Sequence, residues 1–259
     1  MKKLIALFFS FTAIISVTAQ TADDVIGKYV EAMGGLDKLK SVKSVYTEGT
    51  AVLPNGMEIN SKTYKVQDKL YRSEIDFGMG SMTIIVTDKE GWFSNPRNGG
   101  AFEALPAEAV AAQQQESDIF PLVDYAAKGS KVDLIGKETI NGTEAYNIKL
   151  TTKGGKSTNY YIDNKNWYII RSSSKGGGMG GMFGGGGPGG GGGQGQGGGR
   201  RPAGDVEVKV DYTDFKKTSD GIPFAMTSSR PGMGDSVVKT SMEKVEVNKT
   251  VDPKLYKPE

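Results

Sequence analysis

The sequence predicts an α+β domain built on one large antiparallel sheet with two helical segments. The hydrophobic period is 3.6 residues near the N-terminus and changes to two from Val45 onward. The period-two runs are short, evenly spaced and separated by tight turns rich in Gly, Asn and Asp, which is typical of an antiparallel meander. Such a sheet either curls around its helices or encloses an apolar cavity.

The N-terminal segment, residues 1–19, has the features of a bacterial export signal. Lys2 and Lys3 precede an apolar run, and the small residues at its end predict cleavage before Gln20. The run is too short for a convincing bilayer span and no second one follows, so a retained anchor is the less favoured alternative. Without cysteine, a lipoprotein anchor is excluded. We expect a periplasmic or secreted protein that is not an integral membrane protein.

The first predicted element is a helix that begins at Thr21. Thr21 is a suitable N-cap, and Asp23 and Asp24 in the first turn favour the helix dipole. Gly34-Gly35 ends this helix.

The strand-like runs fall into two groups separated by a mid-chain helical pattern. The first group is VYTEGTAVL, MEINSKTYKV, KLYRSEIDF, MTIIVTD and KEGWFSNP. Leu105 to Lys128 then has a helical pattern that is broken by Pro121. The second group is KVDLIGKETI, TEAYNIKLTT, STNYYIDNKNWYIIRSSS, VEVKVDYTDF, IPFAMTSSR and SVVKTSMEKVEV.

A glycine-rich stretch at 175–204 lies between two predicted strands, so we expect a disordered loop inside one domain spanning 20–259. It lacks the fixed glycine spacing and the following helix of a phosphate-binding loop. Its two arginines, Arg200 and Arg201, are too few for a nucleic-acid footprint. With so little side-chain surface to bury, the stretch cannot offset the entropy of ordering.

The composition excludes several classes of chemistry. The 259-residue chain has no cysteine and no histidine, which removes disulfides, thiol nucleophiles, Cys/His zinc sites and triads with a histidine base. The net charge of +2 gives no strong attraction to nucleic acid. We therefore expect no nucleic-acid partner, no metal and no cofactor.

Several motifs occur in an order that resembles the LolA/LolB-like lipoprotein-carrier superfamily. Tyr71-Arg72, the run from Ile85 to Asp88, Trp92-Phe93 and Asn95-Pro96 match its Tyr/Phe-Arg, Ile-Val-Ser/Thr-Asp-Gly, aromatic-pair and Asn/Asp-Pro motifs. DIFPLVDY, YYIDNKNWYIIR and VDYTDFKKTSDGIPF are similar to its helical segment and two later hairpins. The ending VEVNKTVDPKLYKPE is similar to exported members from Bacteroidota.

The resemblance implies an unclosed β-barrel, that is, a strongly curved sheet, whose helices cover an apolar cavity for acyl chains. It implies a non-enzymatic carrier or sensor whose partners are a lipid or lipoprotein acyl chain and an envelope membrane protein. It also places the protein in outer-membrane lipoprotein sorting, and we expect a monomer. One departure is Val66, which stands where the family often has an arginine that bonds a helix and closes the cavity. This puts that gating scheme in question, but not lipid binding.

The candidate ligand contacts are the apolar residues of the matching segments, and ordinary core packing is the alternative role for each of them. They are Tyr71, Ile75, Phe77, Ile84, Val86, Trp92, Phe93, Ile119, Phe120, Leu122 and Val123. The last four lie on the Pro-broken helical pattern, which we expect to act as a lid. Arg72 is a candidate head-group contact, although a solvated strand arginine is the more common case.

Two hypotheses of different class follow. The first is the carrier or sensor with a lipid in its cavity. The second is an envelope protein–protein interaction module of the same fold with a packed interior and no lipid. A carboxylate enzyme comes third, because Asp211 and Asp214 are three apart on a strand and point to opposite faces.

Overall fold

The structure is a computed structural model that describes residues 20–96, 99–175, 207–232 and 236–258. Helix α1 (Ala22–Ala32) begins as predicted at Thr21. The Thr21 hydroxyl accepts a hydrogen bond from the Asp24 amide at 3.2 Å, and the Asp24 carboxylate accepts one from the Thr21 amide at 2.9 Å. Gly34 and Gly35, with φ of 115° and 94°, end this turn, and the short helix α2 (Leu36–Ser41) follows.

All thirteen described strands form one antiparallel sheet. The strands are β1 (Ser44–Val52), β2 (Glu58–Val66), β3 (Leu70–Asp76), β4 (Ser81–Thr87), β5 (Gly91–Ser94), β6 (Phe102–Ala104), β7 (Lys131–Ile140), β8 (Thr143–Thr151), β9 (Ser157–Asp163), β10 (Ile169–Lys175), β11 (Glu207–Lys217), β12 (Pro223–Pro231) and β13 (Val237–Val247). The order across the sheet is β6-β5-β4-β3-β2-β1-β13-β12-β11-β10-β9-β8-β7, so β6 and β7 are its edges and the sheet does not close.

The centre of the sheet joins the two ends of the chain, because β1 pairs with β13. Val45 lies opposite Val247, and the register shifts by one residue between Glu48 and Gly49. At that irregularity a Cβ on Gly49 would lie 2.9 Å from the Ser241 carbonyl oxygen, so a side chain there would collide with the neighbouring strand.

The second half of the sheet begins at the far edge with a two-residue hairpin. Asn141 and Gly142 join β7 to β8 with φ of 48° and 82°, the left-handed pair that a tight hairpin turn requires. β10 and β11 are paired neighbours with Lys175 opposite Glu207. The glycine-rich stretch predicted at 175–204 connects them and lies, apart from Lys175, outside the described residues.

The mid-chain segment differs from the helix predicted between Leu105 and Lys128. Helix α3 (Ala107–Gln114) is followed by a single 3₁₀ turn at Gln115–Ser117. From 121 to 129 the chain forms successive turns instead of a helix, and we call residues 118–129 the turn segment. Pro121 cannot donate to a helical hydrogen-bond ladder, and Asp124 has a φ of 53°, which an α-helix does not allow.

The largest core cluster lies between these non-strand segments and the second half of the sheet. Val25 and Tyr29 of α1 and Leu122 of the turn segment pack with Ile148 and Ile162 of β8 and β9. Two smaller clusters lie on the first half, one beneath α3 and one where β1 to β4 meet β13.

Candidate functional site

Two adjoining cavities are lined by residues from both halves of the sheet. The larger has a volume of about 860 Å³ and the smaller about 440 Å³. Six residues line both: Lys65, Tyr71, Glu116, Ile119, Tyr160 and Tyr212. We call these six the shared wall. Both volumes lie in the range of about 300–1,000 Å³ that is usual for small-molecule sites.

The smaller cavity has a mainly apolar lining. Its apolar and aromatic residues come from α1, the turn segment and the sheet, and include Met33, Val45, Ile119, Phe120, Ile169, Phe215, Phe224 and Met242. Its polar lining consists of Thr47, Thr63, Ser228 and the tyrosine hydroxyls, together with the charged residues Lys65 and Glu116 of the shared wall. An apolar lining of this kind favours a hydrocarbon chain over water, because burying apolar surface is favourable in proportion to its area.

The larger cavity carries more charge. Lys128 forms an ion pair with Asp118 at 2.7 Å, and Lys156 approaches Glu116 at 3.4 Å. Lys65 and Lys153 line the same space and have no ion-pair partner among the residues that the structure describes. The two cavities together therefore combine an apolar space with a charged one.

Tyrosines are concentrated where the cavities adjoin. Tyr71, Tyr160 and Tyr212 belong to the shared wall, and Tyr29 of α1 lines the smaller cavity. Burial raises the pKa of each of these four phenols above its ordinary value. Their hydroxyls therefore remain protonated near neutral pH and can donate hydrogen bonds.

The turn segment that contributes Ile119 and Phe120 is bonded to the β2–β3 turn through Gln67. The Gln67 side-chain oxygen accepts a hydrogen bond from the Ile119 amide at 3.0 Å, and its amide nitrogen donates to Asp118 at 3.2 Å. Lys128 also donates to the Phe120 carbonyl at 2.9 Å. Gln67 directly follows Val66, the position where the resembling family often has an arginine, so a neutral residue makes a contact to this segment.

The sequence-predicted contacts lie in five places. Tyr71, Ile119 and Phe120 line the cavities, and their contact with a ligand stays a prediction. Ile84 and Val86 pack behind Tyr71 against α3, whereas Leu122 and Val123 pack against α1 in the largest core cluster. Ile75, Phe77 and Phe93 belong to the cluster where β1 to β4 meet β13, and Trp92 pairs with Ile85 and Ala104. None of these latter eight lines either cavity.

Arg72 differs from the solvated strand arginine considered above. It is buried, its Nε donates to Glu74 at 2.6 Å and its Nη1 donates to the Leu255 carbonyl at 3.2 Å. Because neighbouring residues on a strand point to opposite faces, Arg72 faces away from the cavities that Tyr71 lines. It ties the C-terminal 3₁₀ turn at Pro253–Tyr256 to β3, and its role as a head-group contact stays a prediction.

Sequence reasoning missed Tyr29, Lys65, Tyr160 and Tyr212 as cavity residues. Tyr160 is followed by Tyr161 on β9, and Tyr212 follows Asp211 on β11. Adjacent residues on a strand point to opposite faces of the sheet. The sequence pattern predicts these two faces but does not indicate which face lines the cavity.

The carboxylates considered for enzyme chemistry do not converge. Asp211 pairs with Arg171 and Asp214 pairs with Lys216. Within the described ranges, no group of three or more Asp, Glu, His or Cys side chains is placed to hold a metal ion. No described helix has both the length and the apolar character of a bilayer-spanning segment.

Comparison with known proteins shows similarity at the level of structure. No family model matches the sequence, and no curated protein matches it. A DUF1329 family protein from Desulfovibrio piger has 13% identity and a TM-score of 0.55, covering 91% of this chain and 96% of that one. A LolA superfamily protein from Nitrosomonas europaea has 10% identity and a TM-score of 0.54, covering 93% and 99%.

A third structure is a putative outer membrane lipoprotein-sorting protein domain from Vibrio parahaemolyticus. It has 8% identity and a TM-score of 0.51, and the match covers 90% of this chain and 94% of that one. Each alignment covers at least 90% of both chains. The chain therefore has the fold of the LolA-like outer-membrane lipoprotein-sorting proteins.

Proposed function

We propose that this protein is a non-enzymatic periplasmic carrier or sensor that binds a lipid, or the acyl chains of a lipoprotein, in the smaller cavity. The observation that carries the proposal is the apolar lining of that 440 Å³ space, to which both halves of the sheet, α1 and the turn segment contribute. In this proposal the open sheet is curved around the ligand, and α1 and the turn segment cover it. The LolA-like fold supports the same class of ligand.

The lining of the site is suited to reversible, non-covalent binding of an acyl chain. Each buried methylene of an acyl chain contributes about 0.8 kcal/mol, so affinity grows with chain length and needs no reactive side chain. The charged groups Lys65, Lys128 and Lys156 lie in the adjoining larger cavity, where a polar head would remain hydrated. Outer-membrane lipoprotein sorting is the process that this arrangement fits best, with an envelope membrane protein as the delivery partner.

Cargo retention tests the proposal directly. We expect native mass spectrometry of the protein purified from an envelope extract to show a reproducible mass increment, and solvent extraction to identify it as a lipid or acylated peptide. A bare protein mass, together with failure to bind added lauric acid, would favour the interaction module with no lipid cargo.

A pair of variants separates the cavity from the rest of the sheet. Thr47 lies on β1 and lines the smaller cavity, so Thr47→Trp places an indole in the space proposed for the chain. We expect it to lose most of the bound cargo. Thr213→Trp is the matched control, because Thr213 is exposed on β11 and lines neither cavity. Equal cargo in both variants would contradict binding at this cavity.

A further inference from the structure

Two tyrosine hydroxyls at the cavity have no protein partner. Tyr29 is only 3% exposed and lines the smaller cavity, and Tyr160 belongs to the shared wall. Among the residues that the structure describes, no hydrogen bond is made by either hydroxyl, whereas Tyr212 of the same wall bonds Ser172 at 2.9 Å. Each of these hydroxyls therefore has an unused donor at the cavity, and an acceptor atom of a bound ligand could pair with it.

The chemical character of these groups defines what they can bind. Burial, and the negative charge of Asp118, raise the pKa of Tyr29, so its hydroxyl stays a donor over the physiological pH range. Burial likewise raises the pKa of Tyr160, with Tyr212 as the next cause. Two protonated phenols that line the smaller cavity match a ligand oxygen that accepts hydrogen bonds.

A cation lies in the same wall. The Lys65 ammonium is 5.7 Å from the centre of the Tyr71 ring and has no ion-pair partner within the described part of the chain. The wall's carboxylate, Glu116, lies 3.4 Å from Lys156 and is partly neutralised by it. The polar part of the wall therefore presents donors to a ligand.

We propose that Tyr29 and Tyr160 form a polar subsite that donates hydrogen bonds to the carbonyl-type oxygen of an acyl ligand, while its hydrocarbon chain occupies the smaller cavity. This inference rests on the proposed function and narrows the ligand class to acyl compounds, as distinct from plain hydrocarbons. The oxygen could belong to an ester or amide carbonyl or to a free carboxylate. Lys65 would strengthen the binding of the carboxylate.

Binding of three ligands that share one chain length tests the subsite. Lauric acid, methyl laurate and dodecane would each be equilibrated with the delipidated protein, and the bound ligand would be extracted and quantified by gas chromatography. Replacing both phenols, in Tyr29→Phe/Tyr160→Phe, removes two hydrogen bonds and leaves the rings. We expect it to weaken the binding of the acid and the ester by about tenfold and to leave dodecane unchanged.

The matched control is Tyr161→Phe, because Tyr161 is buried in a separate cluster with Ile140 and Ala145 and lines neither cavity. It should bind all three ligands as the unaltered protein does. Loss of the acid alone in the double variant would assign the subsite to a carboxylate, and equal loss of acid and ester would assign it to a neutral carbonyl. If every ligand binds the double variant as well as the unaltered protein, the subsite is wrong but the cavity stands. If the unaltered protein binds none of them, both proposals fail.

Discussion

Arg171 and Asp211 form a two-pronged ion pair between β10 and β11. The Arg171 Nη2 donates to Asp211 Oδ2 at 2.8 Å, and its Nε donates to the other carboxylate oxygen. The two side chains are 21% and 23% exposed, so solvent screens the pair only in part. Arg171 lowers the pKa of the Asp211 carboxyl below its ordinary value, and Asn141 adds a hydrogen bond at 3.2 Å.

This ion pair predicts a pH dependence of stability. Because the folded-state pKa of Asp211 is below its unfolded value, its contribution is complete above the ordinary value of 3.8 and is lost as the pH falls through the folded pKa. Asp211→Asn should lower the free energy of unfolding by about 1 kcal/mol at pH 7. The difference from the unaltered protein should shrink in acid, as measured by urea unfolding across a pH series.

Asp214→Asn is the control variant for this measurement of urea unfolding across pH. Asp214 is on the same strand, its side chain is 52% exposed and its contact with Lys216 is 3.4 Å long. An exposed pair of this kind contributes little to stability. If Asp211→Asn lowers the free energy of unfolding by the same amount at every pH, the pair carries no pH-dependent stability.

At the scale of elements, the Gln67 side chain on the β2–β3 turn forms hydrogen bonds with the turn segment that follows α3. Gln67→Ala removes its bonds to the Ile119 amide and to Asp118, and leaves the Lys40–Asp124 ion pair and the Tyr125–Asp23 hydrogen bond in place. We expect faster amide hydrogen exchange at Ile119 and across 121–129, with α1 unchanged. Exchange would be followed by mass spectrometry of proteolytic fragments.

Gln113→Ala is the matched control for that experiment, because the Gln113 side chain makes no hydrogen bond within the described ranges. It should leave exchange in the segment at the rate of the unaltered protein. If Gln67→Ala also leaves it unchanged, apolar packing of Phe120 and Leu122 holds the segment without help from the β2–β3 turn.

The elements that the sequence predicted well are those with local signals. The capping residues of α1 and the Asn141-Gly142 turn are encoded in a few adjacent residues, and the structure has both. The turn segment was predicted as a helix because Ile119, Phe120, Leu122 and Val123 are apolar, but apolar content without a sustained helical ladder does not make a helix. β6 has only three residues and gives no recognisable period.

At the scale of the whole molecule, the site was only partly predictable. Tyr71, Ile119 and Phe120 were identified with other members of their segments, although Ile75 and Phe93 pack elsewhere. Which face of a strand meets a cavity depends on pairings between distant parts of the chain, such as β1 with β13. Those pairings place Tyr160 and Tyr212 beside Tyr71, and no local pattern contains that information.

The central position of β13 predicts a global effect of truncation. β13 pairs with β1 on one side and β12 on the other, so its loss divides the sheet into two unconnected halves. A chain that ends at residue 232 should lose cooperative thermal unfolding by circular dichroism. Removal of residues 257–259 alone should preserve it, because those residues follow the last 3₁₀ turn. A cooperative transition in the shorter chain would show that the halves fold independently.

The same strand order determines when the protein can become complete. β1 is the first strand to be synthesised and β13 the last, yet they are neighbours in the middle of the sheet. Until β13 has been synthesised, the edge of β1 that faces β13 has no partner strand. An unpaired strand edge can associate with the strands of other chains. The pairing of β1 with β13 can form only after β13 has been synthesised, and contacts of such long sequence separation form slowly. This topology therefore leaves the centre of the sheet as the last place where two strands can pair.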